Sequence, residues 1–346
     1  MTTVEVGLGL QADKRPGDYA RLARRAEADG FDVLSVFGDL MFQPPIAALL
    51  EMAAATDRVR LGPACLNPYS LAPYEIAGQV AALDLASRGR AYLGLARGTW
   101  LGEVGIGATR PLATLAEAAA VVYRLLGGRT DGFQGEVFRL APGTRLGYPV
   151  QRPDPPLLIG AWGPRGVALA GRIADELKVG GSANPELVPV VRDRVRAAAE
   201  RAGRSPDQVR IVFGAVTVVD RDGAAARARA RAEAAMYVAA VADLDPTVAV
   251  PPGLLVRVRA LVDAGEHAAA GRILPDDLLD RFVFAGTPEQ VARQAQALID
   301  AGVHRVEFGT PHGLTDDRGV GLLGSAVLPL LRRTPGSARS GGGPRP

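Results

Sequence analysis

The sequence predicts a (β/α)8 TIM barrel with two insertions, and three observations carry that expectation. Apolar periodicity alternates between two and about 3.6 along the chain, and each switch is punctuated by Gly or Pro. Eight strand-like runs emerge, nearly all separated by helical stretches, which is the order a parallel closed sheet requires. The segment after the first strand, Gln11-Ala12-Asp13-Lys14-Arg15-Pro16, lacks the glycine fingerprint of an open dinucleotide-binding sheet, the main competitor.

Val4, Val6 and Leu8 make the first strand. Pro16 opens a helix with Tyr19, Leu22, Ala23 and Ala26 on one face, and Gly30 stops it. Strand Phe31–Phe37, helix Pro45–Thr56, strand Val59–Cys65, helix Pro73–Ser87 and strand Ala91–Ala96 follow. Leu112, Leu115, Ala119, Val122 and Leu126 mark a further helix before Gly127 and Gly128. Residues 129–155 read as an excursion with a hairpin around Gly132–Leu140. Strand Pro156–Ile159, helix Arg165–Ala174, strand Glu176–Val179, helix Pro185–Ala202 and strand Val209–Val219 resume the alternation. A second insertion, Arg221–Phe284, is Ala-rich and helical in pattern. Thr287, Pro288 and Gln290 form a capping box for a helix closed by Gly302, and the eighth strand is Val303–Phe308. A last helix spans about Gly321–Arg333, with a bend expected at Pro329. The expected organisation is one domain over residues 1–333, with insertions near 97–155 and 221–284, and a disordered tail over 334–346 rich in Gly, Ser, Arg and Pro.

With 48% hydrophobic and 22% charged residues, the composition suits a soluble globular core. The net charge is only +3, and the Arg clusters lie among Ala and Glu in helical stretches, so a solvated face explains them without nucleic acid. A single cysteine and three scattered histidines, His267, His304 and His312, argue against a disulfide or a metal centre. No apolar stretch approaches a membrane span and no leader pattern opens the chain, so a cytoplasmic protein acting on a small molecule is expected.

In a barrel the site forms at the C-terminal ends of the strands. Gly160-Ala161-Trp162-Gly163-Pro164-Arg165-Gly166 lies between a strand and a helix start. Its glycines, the free N–H groups of the helix and Arg165 suit a phosphate, although a tight turn without ligand has the same pattern. Gly180-Gly181-Ser182 lines the next strand end. Leu61 to Tyr69 packs two prolines and a glycine into one loop, as a rigid turn would. Asp39 follows the second strand among Phe37, Leu40, Met41 and Phe42, where a carboxylate is paired or functional. Arg97, Thr99 and Trp100 follow the fourth strand; Glu307, Thr310 and His312 lie at the eighth. No Ser-His-Asp set, carboxylate pair or ligand spacing accompanies them, so a bound organic cofactor with a phosphate best accounts for the pattern.

Together these segments resemble the bacterial luciferase-like flavin and deazaflavin oxidoreductases, in particular the branch containing methylenetetrahydromethanopterin reductase. The resemblance rests on Leu61-Gly62-Pro63-Ala64-Cys65-Leu66-Asn67-Pro68-Tyr69, on Ala82 to Ala91 with Leu93-Gly94-Leu95, on Gly160 to Pro164 with Ala170-Gly171 and Ala174-Asp175, and on Val283 to Glu289 with Gly309-Thr310-Pro311. It implies a barrel with insertions, usually homodimeric, with coenzyme F420 or FMN across the C-terminal mouth. It implies a non-proline cis peptide at Ala64–Cys65 that backs one ring face. It places Asp39 near the ring as the catalytic candidate and gives Ala64, Cys65, Asn67, Arg97, Gly160, Ala161, Trp162, Gly163, Pro164, Arg165, Gly180 and Gly181 to the cofactor.

Two departures stand out. The strand-one acidic residue of that branch is replaced by Gly9, and its Asp-His pair by Gly38-Asp39-Leu40. Glu307 and His312 are the candidate replacements on the substrate side. The expected activity is hydride transfer between F420 and an unsaturated or imine-like substrate; the alternatives are an FMN-dependent monooxygenase and a non-catalytic flavin-binding protein.

Overall fold

In the computed structural model, which describes residues 4–332, eight parallel strands form the predicted barrel. They are β1 Glu5–Leu10, β2 Val33–Val36, β3 Arg60–Pro63, β4 Leu93–Ala96, β7 Leu157–Gly160, β8 Glu176–Gly180, β9 Arg210–Val219 and β11 Arg305–Gly313. Between β4 and β7 lies the expected hairpin, β5 Phe133–Gln134 with β6 Arg139–Leu140. Strands run in the order β3-β2-β1-β11-β9-β8-β7-β4, and bridges Leu61–Ala91 and Leu66–Leu95 close the ring between β3 and β4.

Helices α1 Asp18–Asp29, α2 Pro45–Ala55, α3 Pro73–Ala86, α4 Pro111–Leu126, α5 Gly163–Ile173 and α6 Leu187–Arg201 cover the outside. The outward residues of each strand, such as Val6, Leu8 and Leu10 of β1, are fully buried against them. The second insertion folds as α7 Gly223–Val241, α8 Leu254–Asp263, α9 His267–Arg272 and α10 Asp276–Leu279. It ends in a strand that periodicity did not separate from the insertion, β10 Val283–Gly286, which pairs with the far half of β9. This unit buries its own apolar cluster, including Val218, Ala234, Val238, Leu279 and Phe282.

α11 Pro288–Ala301 carries the predicted capping box: the Thr287 N–H donates to Gln290 Oε1 at 2.7 Å, and Gln290 N–H donates to Thr287 Oγ1 at 3.4 Å. The last helix differs from expectation. It starts earlier, as α12 Asp316–Leu322, widens to a π turn at Leu323–Val327 and ends in a 3-10 turn at Leu328–Leu330, because Pro329 has no N–H to extend an α-helix. Arg333 and the expected tail over 334–346 lie outside the described residues. β11 also runs past Phe308 to Gly313, with a register shift between Gly309 and His312. Among the described residues no helix is long and apolar enough to cross a membrane.

Candidate active site at the mouth of the barrel

Barrels of this kind ordinarily fill their interior with layers of branched apolar side chains. Here the interior is glycine and charge. Inward-facing Gly7, Gly9, Gly62 and Gly214 leave space that larger neighbours occupy: a Cβ on Gly62 would stand 2.5 Å from the Tyr92 ring, and one on Gly214 would stand 3.2 Å from Glu307 Cβ. At the N-terminal end, Arg60 bridges Glu5 at 2.6 Å and Glu176 at 2.7 Å, Arg210 reaches Glu5 at 3.1 Å, and buried Arg305 reaches Glu176 at 2.8 Å. The Arg305 guanidinium also lies over the Tyr92 ring, 5.8 Å from its centroid.

One layer nearer the mouth, the Ser35 hydroxyl donates to Glu307 Oε2 at 2.8 Å and sits 2.8 Å from the Tyr92 hydroxyl. Glu307 forms a buried ion pair with Lys178, whose ammonium lies over the Phe37 ring at 5.1 Å. Burial alone would raise the Glu307 carboxyl, but Lys178 and Arg305 outweigh it and hold the group below the ordinary carboxylate range. Gly9 explains where this carboxylate fits: Glu307 Oε1 stands 3.2 Å from the position a Cβ on Gly9 would take.

Above this floor the peptide bond Ala64–Cys65 is cis, the geometry the family resemblance implies. Hydrogen bonds bracket it: Ala64 N–H donates to Val36 O at 2.8 Å and Leu66 N–H to Gly94 O at 2.8 Å. Gly38 gives it room, since a Cβ there would stand 2.3 Å from the Cys65 carbonyl oxygen. Burial pushes the Cys65 thiol up to about 12, so it stays protonated and uncharged. Ala64 and Cys65 nevertheless keep accessible surface facing the mouth's rim.

That rim continues through half-exposed Gly160, Ala161, Trp162 and Gly163, and through exposed Pro164 and Arg165. Helix α5 has no side-chain cap at its N-terminus, Gly163 takes the left-handed conformation, φ 71°, and open space lies over it and over Gly180. The Trp162 indole donates to Gly180 O at 2.7 Å and ties the two loops together. A planar ring against the accessible bulge, with an anionic tail at these uncapped amides, therefore fits the residues present. Asp39 lies exposed in the open mouth yet is ringed by protein, which raises its carboxyl; a hydrogen bond from Gln11 and the charge of Lys178 pull the other way.

Five residues assigned to the site from sequence stand differently. Glu307 and His312 have 1% and 0% of their surface exposed, so neither can touch a substrate directly. His312 instead joins β11 to β1 through a hydrogen bond from its Nε2 to Gly9 O at 2.9 Å. Asn67 is nearly buried and its Oδ1 accepts from Tyr69 N–H at 2.9 Å, which fixes the turn after the bulge. Gly181 is buried beneath Tyr237 of α7, whose ring a Cβ would meet at 2.8 Å, so packing accounts for this glycine and only Gly180 faces open space. Arg97 is exposed beyond β4 and donates to its neighbour's carbonyl, Gly98 O, at 3.3 Å.

Lys178, Gln11 and Tyr237 were not singled out from sequence. Lys178 had a signal: it is one of two lysines in an Arg-rich chain, and Glu176 and Lys178 alternate with Leu177 and Val179, which puts both on the inner face of β8.

A model of the luciferase-like monooxygenase family matches residues 1–305. The chain is 30% identical to an F420-dependent glucose-6-phosphate dehydrogenase of Nakamurella multipartita, covering 96% of this chain and 98% of that one. It is 29% identical to a 5,10-methylenetetrahydromethanopterin reductase of Archaeoglobus fulgidus, covering 95% and 100%. The solved coenzyme F420-dependent tetrahydromethanopterin reductase of Methanopyrus kandleri superposes with a TM-score of 0.84 at 24% identity, over 95% of this chain and all of that one. The chain belongs to the luciferase-like monooxygenase family.

Proposed function

We propose that the protein is an oxidoreductase that uses coenzyme F420 and passes hydride between it and an unsaturated or imine-like organic substrate. The observation that carries this reading is the half-exposed, uncapped, glycine-lined start of α5 beside the accessible Ala64 and Cys65, with a Cβ on Gly160 placed 3.0 Å from Cys65 Sγ. When bound, the deazaflavin supplies the hydride chemistry. The protein's part is positioning. Ala64 and Cys65 would back one ring face and leave the other to the substrate. Trp162, Gly163 and Arg165 would hold the tail by backbone N–H groups and one full charge, with Gly160, Ala161, Pro164 and Gly180 shaping the turn around it. Asp39, with its raised carboxyl, would hold or release a proton at the mouth, the task a hydride acceptor sets once it becomes an alcohol or amine.

The names of the relatives support the choice of cofactor: two of the three comparisons above are to enzymes named as F420-dependent at 24% and 30% identity. The replacement of the strand-one carboxylate by Gly9 speaks for a substrate other than the pterin. We further propose a homodimer in the cytoplasm, in keeping with apolar side chains left exposed on α3, among them Tyr74 and Leu85.

The test is an absorption titration of purified protein with F420 and, separately, FMN, followed by single-turnover oxidation of the bound reduced cofactor with enones and imines. Saturable F420 binding and turnover with at least one acceptor are expected. Saturable FMN binding without F420 binding would replace the reading with a flavin monooxygenase, and binding without any turnover would replace it with a carrier.

A further inference from the structure

The floor of the mouth carries charge that positioning of a neutral ring does not require. Arg60, Arg210, Arg305 and Lys178 face Glu5, Glu176 and Glu307, which leaves one positive charge in excess in this interior network. The network is polarised as well. Glu307 has 1% of its side chain exposed, whereas Lys178 has 9%, and the lysine reaches past the Phe37 ring to within electrostatic range of Asp39 and Cys65. The ammonium is therefore the end of the pair that faces the mouth. Glu307 and the Phe37 ring together fill the space over Gly9: a Cβ there would stand 2.6 Å from Phe37 Cζ and 3.2 Å from Glu307 Oε1.

The groups that surround Lys178 offset its charge from the side away from the mouth more than from the mouth itself. From β11 it meets Glu307, from the segment after β2 it meets Phe37 and Asp39, and from the segment after β3 it meets Cys65, a thiol held uncharged by burial. From β9 it meets only Gly214, 3.7 Å from Lys178 Cε to a notional Cβ. Asp39 is an exposed opposing carboxylate at the rim, and its desolvation raises its carboxyl against the pull of Gln11 and Lys178.

We infer that the Lys178–Glu307 pair makes this floor a seat for a negatively charged ring, so that a deazaflavin bound there is held as its anion. The inference rests on the deazaflavin reading given above. The ring carries a conjugated hydroxyl that releases its proton to solvent on ionisation, and the resulting charge is spread over the ring oxygens. A bound ring displaces water from the floor, and in that drier setting a fixed ammonium acts strongly on a delocalised anion. Lys178 is then a charge-setting residue, and Glu307 is a positioning residue that pairs with it and keeps it aimed at the mouth.

The test uses the deazaflavin chromophore without its anionic tail, so that rim arginines do not contribute. Its visible absorption is titrated against pH, free and bound to the full-length protein. The anion is expected to bind about tenfold more tightly than the neutral ring, seen as an ionisation midpoint lower by roughly one pH unit on binding. K178M, and the double variant K178M/E307Q, which leaves no buried charge unpaired, should abolish that shift, whereas K178R should retain it; far-UV circular dichroism reports folding of each. A bound midpoint equal to or above the free one, or a shift that survives in the folded double variant, overturns the inference while the cofactor reading stands. Failure of the wild-type protein to produce any saturable spectral change overturns the cofactor reading itself.

Discussion

Gly9 and Glu307 meet inside the barrel: Glu307 Oε1 lies 3.2 Å from where a Cβ on Gly9 would stand, with the Phe37 ring closer still at 2.6 Å. The two belong to the paired strands β1 and β11, where Gly7 is in register with Glu307. The buried carboxylate depends on Lys178, since its other cation, Arg305, is 3.8 Å away. Replacing Lys178 with Met should therefore destabilise the fold by about 3–5 kcal/mol, and adding Glu307→Gln should recover most of that loss, because a neutral buried pair carries no uncompensated charge. Urea denaturation of the two variants checks this; equal stability of single and double variants would show that the pair is not coupled.

The bulge at Ala64–Cys65 depends on a second glycine. A Cβ on Gly38 would stand 2.3 Å from the Cys65 carbonyl oxygen, and both partners are backbone, so neither can swing aside. Gly38→Ala is expected to shift the bulge, lower ring affinity by at least about tenfold and cost about 1–3 kcal/mol of stability from overpacking. Titration with the tail-less chromophore and a thermal melt measure the two effects; unaltered ring affinity would detach the bulge from cofactor binding.

These relationships show what could be read from the chain and what could not. The strands and the Thr287 capping box were visible because their signals are local: alternation over a few residues, or a hydroxyl three positions before an amide. The rim was visible for the same reason, as glycines between a strand and a helix. The interior network was not, because Glu5, Arg60, Glu176, Arg210 and Arg305 come from five strands, and only closure of the barrel brings them together. Ending the eighth strand at Phe308 puts His312 in a loop at the mouth, while Glu307 lies within that strand and its depth depends on how the barrel closes. β11 runs on to Gly313, and its irregularity turns His312 inward, with φ 66°. That extension depends on pairing with the long β9, a non-local fact.

Arg165 offers a selective probe of the rim. It is exposed at the first turn of α5, where the backbone N–H groups have no side-chain cap. Arg165→Ala should weaken binding of the full, tailed cofactor by about fivefold, roughly 1 kcal/mol for one exposed charge-assisted contact, and leave the tail-less chromophore unaffected. Equal losses for both ligands would place Arg165 at the ring instead of the tail.

The histidines predict an acid response. Burial lowers His312 to about 4, and burial with the charge of Arg210 lowers His304 to about 4. The unfolded chain binds these protons near the ordinary value of about 6.5. Their contribution is therefore complete above about pH 6.5 and is lost as pH falls towards 4, by up to about 3 kcal/mol for fully buried His312. Below that, carboxylates held low by cations, Glu307 and Glu176 among them, begin to lose theirs. His312→Asn tolerates the positive φ at this position but cannot titrate. It should flatten the stability slope between pH 6.5 and 4 without removing it, since His304 remains; an unchanged slope would remove His312 from the response.

Asp39 is the one carboxylate the mouth exposes to a ligand while its surroundings favour the protonated form, through desolvation that a Gln11 hydrogen bond and Lys178 only partly offset. A group so placed can give a proton to a substrate that has just accepted hydride. Asp39→Ala should then lower turnover by about a hundredfold while cofactor affinity changes by less than about twofold. Asp39→Asn, which can still pair with Gln11 but has no proton to transfer, should match the alanine variant in turnover, and both should lose the fall in rate that deprotonation of Asp39 causes in the wild-type pH–rate profile as pH rises. Rapid-mixing turnover and equilibrium titration separate the two quantities. Loss of affinity with turnover of the bound complex preserved would make Asp39 a binding residue and leave the proton to come from solvent.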